Sequence, residues 1–299
     1  MITVVGEALI DLVITPDGSV DAALGGAPFN TARACGRLGA EVRFAGALSI
    51  DRFGSMLTDQ LTADGVDVSA APRVEMPTTL AAAELDERGA ASYRFYIEGT
   101  SAPALVAAPP GQPGDVLFTG GLGLVLEPMA TTVEATIAAA LDQLVVIDVN
   151  CRPLIIADRE AYVARVDRVI AHAQVVKVSD EDLEYLAPGQ DSLDAARRLL
   201  ERGPSVVLLT AGGDGVHVVT AAGVDTVAVP TVDVVDTIGA GDSFGAGFLT
   251  WWTDSGSSIG DADRVVDAVR AATAVAGVVV GRRGADPPWR DELPADWGP

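Results

Sequence analysis

Lysine is almost missing from this chain: Lys177 is the only one in 299 residues. A P-loop needs its lysine at the end of a GxxxxGK run, and Lys177 is not in one, so a P-loop NTPase is excluded. Histidine is nearly as scarce. His172 and His217 are far apart, with no serine-elbow motif for either to serve. Cys35 and Cys151 are too few for a disulfide framework or a structural zinc site, and fit reduced thiols in a cytoplasmic protein. No uncharged apolar run reaches about 18 residues, so no membrane span is expected. The opening MITVVGEALIDLVI lacks a basic segment and carries Glu7 and Asp11, so it reads as a strand and not as a signal peptide.

Positive charge is short as well. Lys and Arg total 20 against 42 Asp and Glu, a formal net charge of -22. A field of that sign opposes binding to nucleic acid or to anionic lipid. It also repels a polyanionic substrate unless backbone amides, metal ions or arginines offset it. Most of these carboxylates are expected to solubilise the surface. With 49% hydrophobic residues the chain can bury a large core, and one α/β domain of this length is common.

Short Val/Ile/Leu runs at 3–5, 42–47, 115–119, 144–148, 175–178, 205–210, 215–220 and 223–229 predict strands, several of them buried on both faces. Helical patterns lie between them, at 30–38, 53–64, 128–141, 159–172, 181–187 and 193–202. The alternation predicts a doubly wound α/β fold with a mostly parallel sheet and helices on both faces. A further strand is expected at 231–235, then helices at 240–253 and 261–281. Two stretches break the pattern. Residues 9–24 run past the first strand into a turn at Pro16, Asp17 and Gly18. Residues 78–96 read as two strands joined at Asp86, Glu87, Arg88 and Gly89. Together they form either a small β lid over a cleft or an ordinary edge hairpin.

The chemistry concentrates in VDTIGAGDSFGAGFL, residues 235–249. Gly239, Ala240 and Gly241 let a ligand approach the backbone, and their amides lie at a helix start, where unpaired donors favour an anion. Asp242 then sits beside an anion hole. It either accepts a proton from an attacking hydroxyl or caps the helix. Phe244 stands where a dinucleotide fingerprint needs its third glycine, which argues against a NAD-linked dehydrogenase. In GGAPFN, residues 25–30, Gly25 and Gly26 allow close approach, and Asn30 offers donor and acceptor. Asp11, inside an apolar run, is costly unless paired or wet.

The segments GGAPFNTARACGRLGAEVRFAGALSIDRFG and VDTIGAGDSFGAGFL resemble the two hallmark regions of the ribokinase-like, phosphofructokinase-B-type carbohydrate kinases. The resemblance runs along essentially the whole chain. It implies a core of residues 1–8, 24–77 and 97–299 with a lid of 9–23 and 78–96. Asp242 would be the catalytic base, with Gly239, Ala240 and Gly241 the anion hole. Asp11, Gly25, Gly26, Asn30, Asp51, Phe95 and Arg152 would meet the sugar. Lys177, Ser179, Thr210, Gly212, Gly215, Gly241 and Thr273 would meet ATP. Asp236 and the Ile238 carbonyl fall where members bind a monovalent cation such as K+. Where many members carry Asn-x-x-Glu to position Mg2+, residues 179–182 are SDED, so Asp182 keeps a shorter carboxylate and the amide is lost. Implied partners are ATP and a small sugar, with fructose first and ribose, 2-keto-3-deoxygluconate or a nucleoside open. A homodimer joined through the lid and a non-catalytic sugar-binding regulator are further readings.

Overall fold

The computed structural model describes residues 1–87, 91–109, 111–256 and 258–299. From the N-terminus come β1 (Ile2–Val5), β2 (Leu9–Ile14), β3 (Val20–Gly25), α1 (Ala27–Arg37) and β4 (Val42–Ala45). They are followed by β5 (Leu48–Ser49), α2 (Arg52–Ala63), β6 (Arg73–Val74), β7 (Leu80–Leu85) and β8 (Ala91–Tyr96). The middle holds β9 (Val116–Gly120), α3 (Met129–Ala139), β10 (Leu144–Asp148), α4 (Arg159–Ile170), β11 (Val175–Ser179) and α5 (Asp180–Leu186). The rest is α6 (Ser192–Leu200), β12 (Val206–Thr210), β13 (Val216–Thr220), β14 (Gly223–Val227), α7 (Ala240–Ser255) and α8 (Ala262–Val280).

Eight strands make the main sheet, in the order β14-β13-β12-β11-β10-β9-β1-β4. All pairs from β12 to β4 are parallel, and β13 and β14 add an antiparallel edge. Successive side chains point to opposite faces, so Val116 and Phe118 join one core while Leu117 joins the other. The first core packs under α1, α2, α7 and α8, and the second under α3, α4, α5 and α6. That is the doubly wound arrangement the alternation predicts. From β1 the chain goes outward to β4 and later returns to β9 on the other side, so a topological switch point lies at the carboxyl ends of β1 and β9.

A separate four-stranded sheet has the order β3-β2-β7-β8. Its β2–β3 turn is closed by Asp17, which accepts from the Thr15 hydroxyl and the Ser19 amide. The β7–β8 hairpin pairs Leu85 with Ala91, and the turn residues Arg88 and Gly89 lie outside the described residues.

Two expectations need correction. Residues 231–235 are not a strand; Val232, Val234 and Val235 are exposed, and the Val235 amide donates to the Val280 carbonyl at the end of α8. The first helix begins at Ala27, three residues earlier than the pattern suggests, because Pro28 is tolerated in a first turn whose amides need no partner. The two-residue strands β5 and β6 are too short to leave a periodic signal.

Candidate active site

Helix α1 leaves the sheet after β3, and α7 lies against it. The Asn30 Nδ2 donates to Asp242 Oδ2 at 2.9 Å, and the Thr31 hydroxyl donates to the Asp242 carbonyl at 3.4 Å. Residues 212 positions apart thus meet in one contact. Asp242 is the third residue of α7, whose N-cap is Gly239 at φ 76°, a conformation glycine adopts without steric cost. That cap has no side chain to bind the helix amides, and Gly241 is exposed beside them. Among the described residues, Asp242's carboxylate bonds only to Asn30, which disfavours the capping alternative. Asn30 Oδ1 is buried and accepts no hydrogen bond among the described residues, so its acceptor side suits a ligand hydroxyl.

Burial drives the electrostatics here. Desolvation pushes Asp242 up to about 6; the Asn30 hydrogen bond opposes this, Asp148 adds to it, and Lys177 and Arg152 oppose it. Asp11 is also raised to about 6 by desolvation, with Arg152 opposing. A Cβ on Gly25 would stand 2.0 Å from Asp11 Oδ2, so Gly25 makes room for that carboxylate. Glu7, just past β1, is 3% exposed, and burial raises it to about 7. One Glu7 oxygen accepts from the Ala27 amide at 3.3 Å, and the other has no partner among the described residues. Arg152 acts on Glu7, Asp11, Asp148 and Asp242, so its charge looks over all four carboxylates.

The family model for pfkB carbohydrate kinases matches residues 1–292. The chain belongs to that family. It is 37% identical over 258 residues to a fructokinase of Rhizobium leguminosarum bv. trifolii, an alignment covering 83% of this chain and 78% of the relative. Among solved structures it is similar to aminoimidazole riboside kinase from Salmonella enterica complexed with aminoimidazole riboside and an ATP analogue (TM-score 0.85, 26% identity, 95% of this chain and 94% of that one). It is similar too to a double mutant of fructokinase from Vibrio cholerae O395 bound to fructose, ADP and potassium ion (TM-score 0.85, 26% identity, 95% and 93% covered). This pfkB kinase is therefore a phosphotransferase with an alcohol acceptor.

The residues expected to meet ATP stand along the carboxyl ends of β11 and β12 and in α7 and α8. Lys177 is buried in β11, with Nζ 2.8 Å from Asp148 Oδ2. Thr210 ends β12, its hydroxyl donating to the Val178 carbonyl. Gly212 is exposed and Gly215 closes the short turn into β13. Thr273 is different: it is 4% exposed, and its hydroxyl donates to the Arg270 carbonyl within α8. Asp51 likewise has a structural task. It caps α2 through the Gly54 amide and accepts from the Thr78 amide and hydroxyl. Phe95 is half-buried on β8, stacked on Tyr93 at 6.5 Å.

Direct metal ligation by Ser179 and Asp182 does not fit. Ser179 caps α5, and Asp182 closes a capping box. The Asp182 oxygens accept from the Cys151 amide at 2.6 Å and the Ser179 amide at 2.9 Å. Among the described residues no group of three or more His, Cys, Asp or Glu could hold a metal. Asp236 accepts from the Ile238 and Gly284 amides, which folds this loop beside the Ile238 carbonyl.

The glycine loop is braced from behind. Arg33 donates to Asp64 and to the Ala285 carbonyl, and Arg37 donates to Asp64 and Asp286. Ala285 in turn packs against Gly239. Glu7, Asp148 and Asp64 are buried carboxylates that the sequence reading did not single out. Glu7 and Asp148 each close an apolar strand run, a signal that was on view in VVGE and VVID.

Proposed function

We propose that the chain is an ATP-dependent fructokinase, phosphorylating a hydroxymethyl group of the sugar. The observation that carries the reading is the Asn30–Asp242 hydrogen bond beside the exposed Gly241, which joins the two hallmark segments at one site. Fructose is the choice because fructokinases stand among both the sequence and the structural relatives.

In this reading Asp11, Asn30 and Arg152 orient the sugar, with Gly25 and Gly26 giving it room. Asp242 takes the proton of the attacking hydroxyl. The sugar oxygen bonds to the γ-phosphorus as its bond to the β–γ bridging oxygen breaks, and ADP leaves with that electron pair. The amides of Gly239, Ala240 and Gly241 receive the migrating charge. Ser179, Thr210, Gly212 and Gly215 border the nucleotide. Mg2+ bound with ATP would supply charge neutralisation at the phosphates, and Asp182, whose oxygens accept from the Cys151 and Ser179 amides, would not ligate it directly. Asp236 and the Ile238 carbonyl would hold a monovalent cation, which would support the loop. Residues 9–23 and 78–96 act as a lid on a core of 1–8, 24–77 and 97–299, excluding water as a competing acceptor. Exposed Val20, Tyr93 and Tyr96 on the lid sheet suit pairing of two lids in a homodimer.

The test is a coupled assay of ADP release across fructose, ribose, 2-keto-3-deoxygluconate and nucleosides, with and without potassium. Release dependent on fructose is expected. Release dependent only on a nucleoside would move the substrate class, and none with any acceptor would remove the kinase reading.

A further inference from the structure

Glu7 is a buried carboxyl that the proposed chemistry does not use. It stands just past β1, at the topological switch point between β1 and β9. Helix α1 starts against it. Gly26, the α1 N-cap, has no side chain to offer, and Pro28 brings no amide, which leaves the Ala27 amide in need of an acceptor. Glu7 meets it from 20 positions away, at 3.3 Å. A Cβ on Gly26 would stand 2.8 Å from the Glu7 carbonyl oxygen, so the helix start is pressed onto this residue.

On the other side of Glu7 lies the turn after β9. A Cβ on Gly121 would stand 2.8 Å from Glu7 Oε1, and the Leu122 amide also draws on the carboxylate. Glu7 Oε2 has no hydrogen-bond partner among the described residues. The segments around this side chain bring no charge of their own: residues 2–6, 26–30, 45–48 and 121–124 are all uncharged. Arg152, past β10, supplies the charge that acts on Glu7.

Stability alone does not account for a carboxyl in this place. Burial raises it to about 7, against the pull of the Glu7, Leu122 and Ala27 amides and the charge of Arg152. Above that pH the ionised group costs folding stability, whereas a Gln side chain would accept from Ala27 without that cost. What the carboxylate adds is its hold on the backbone. Ionised, it is acceptor-only and takes both amides by charge-assisted bonds. Protonated, one oxygen becomes a donor facing donors, and the tie weakens.

We propose that Glu7 is a positioning residue for the sugar, tying the start of α1 to the turn after β9 when it is ionised. Asn30 follows Ala27 within the first turn of α1, so the tie sets where its side chain meets the sugar. The proposal rests on the fructokinase reading and deepens it: the sugar side of the site is held by a carboxylate behind the helix start. The fold accepts a lower stability near neutral pH in return for a fixed Asn30.

The test compares the wild type with Glu7→Gln in fructose-dependent ADP release from about pH 5.5 to about pH 8.5. At the upper end the variant's fructose KM is expected to be raised about 5–10-fold with kcat within about twofold. As pH falls, the ratio of the two KM values is expected to approach one, with a midpoint near 7. Asp11, raised to about 6, titrates in both proteins and cancels in that ratio. Calorimetry of fructose binding without nucleotide is expected to show the same ratio. A merely structural role would move the melting temperature and leave KM and its pH profile in place. A KM ratio near one throughout, or one that does not change with pH, overturns the proposal. A fall in kcat at unchanged KM does the same. Absence of fructose-dependent ADP release by the wild type at every pH removes the fructokinase reading instead, and no variant is needed to see it.

Discussion

Two aspartates occupy the third position of their helices and do opposite things. Asp182 in α5 turns back to the Ser179 amide and also holds the Cys151 amide, so both its oxygens are taken. Asp242 in α7 turns away from its own helix and bonds to Asn30 in α1. The difference lies at the N-cap. Ser179 closes a capping box that draws the carboxylate in, whereas Gly239 offers no side chain, and the Asp242 carboxylate bonds to α1 instead. The cap thus decides whether an acid in the first turn is tied to its own helix or left to bond elsewhere.

The largest test of that contrast is Asp242→Asn, expected to lower kcat by roughly 10²–10⁴-fold with an unchanged melting temperature. Near wild-type turnover would remove Asp242 from the chemistry and erase the contrast. Next is Asn30→Ala, expected to lower kcat/KM by roughly 10-fold or more. It also has a pH signature. The base must be ionised, so the wild-type kcat/KM should rise with pH through a limb near 6, the value to which burial brings Asp242. Loss of the Asn30 donor, which lowers that value, should move the limb upward; a limb left in place would detach Asn30 from Asp242.

Asp182→Asn should do the reverse of Asp242→Asn. An amide nitrogen would face one of the two backbone donors, with a stability loss of about 1–3 kcal/mol and kcat within a few-fold. Thermal denaturation beside the ADP assay separates the two effects. A large fall in kcat at unchanged stability would instead make Asp182 chemical. The smallest effect belongs to Glu7. Its folded pKa of about 7 exceeds the ordinary 4.5, so the stability its neutral form contributes is full below that lower value and lost as pH rises through 7. Glu7→Gln should then raise the melting temperature by roughly 2–4 °C at pH 8 and by little at pH 4.

The β/α alternation, the two hallmark segments and Asp242 were legible because each leaves a local trace: periodicity, glycine spacing, an acid at a helix start. Asn30 was visible as a candidate, but its partner was not, since nothing local ties residue 30 to residue 242. The 231–235 error has the same root. Val232, Val234 and Val235 read as a strand, but no neighbouring strand receives them, and pairing is a property of the fold. Asp51 and Asp182 were candidates through the resemblance alone, and their capping bonds were not legible because an acidic residue before or early in a helix has the same spelling whether it caps or reacts. Lys177 was seen as a nucleotide contact, yet its pairing with Asp148 depends on the β10–β11 register.

The Arg33–Asp64–Arg37 brace has a mechanical consequence. Because Arg33 grips the Ala285 carbonyl and Ala285 lies on Gly239, the glycine loop at the start of α7 leans on the segment just past α8. Arg37 holds Asp286 and the Pro287 carbonyl in the same grip. Heat that loosens this rear support should silence the enzyme while its sheet is still whole, and the thermal lifetime of turnover would then be set at the back of the molecule, away from the cleft.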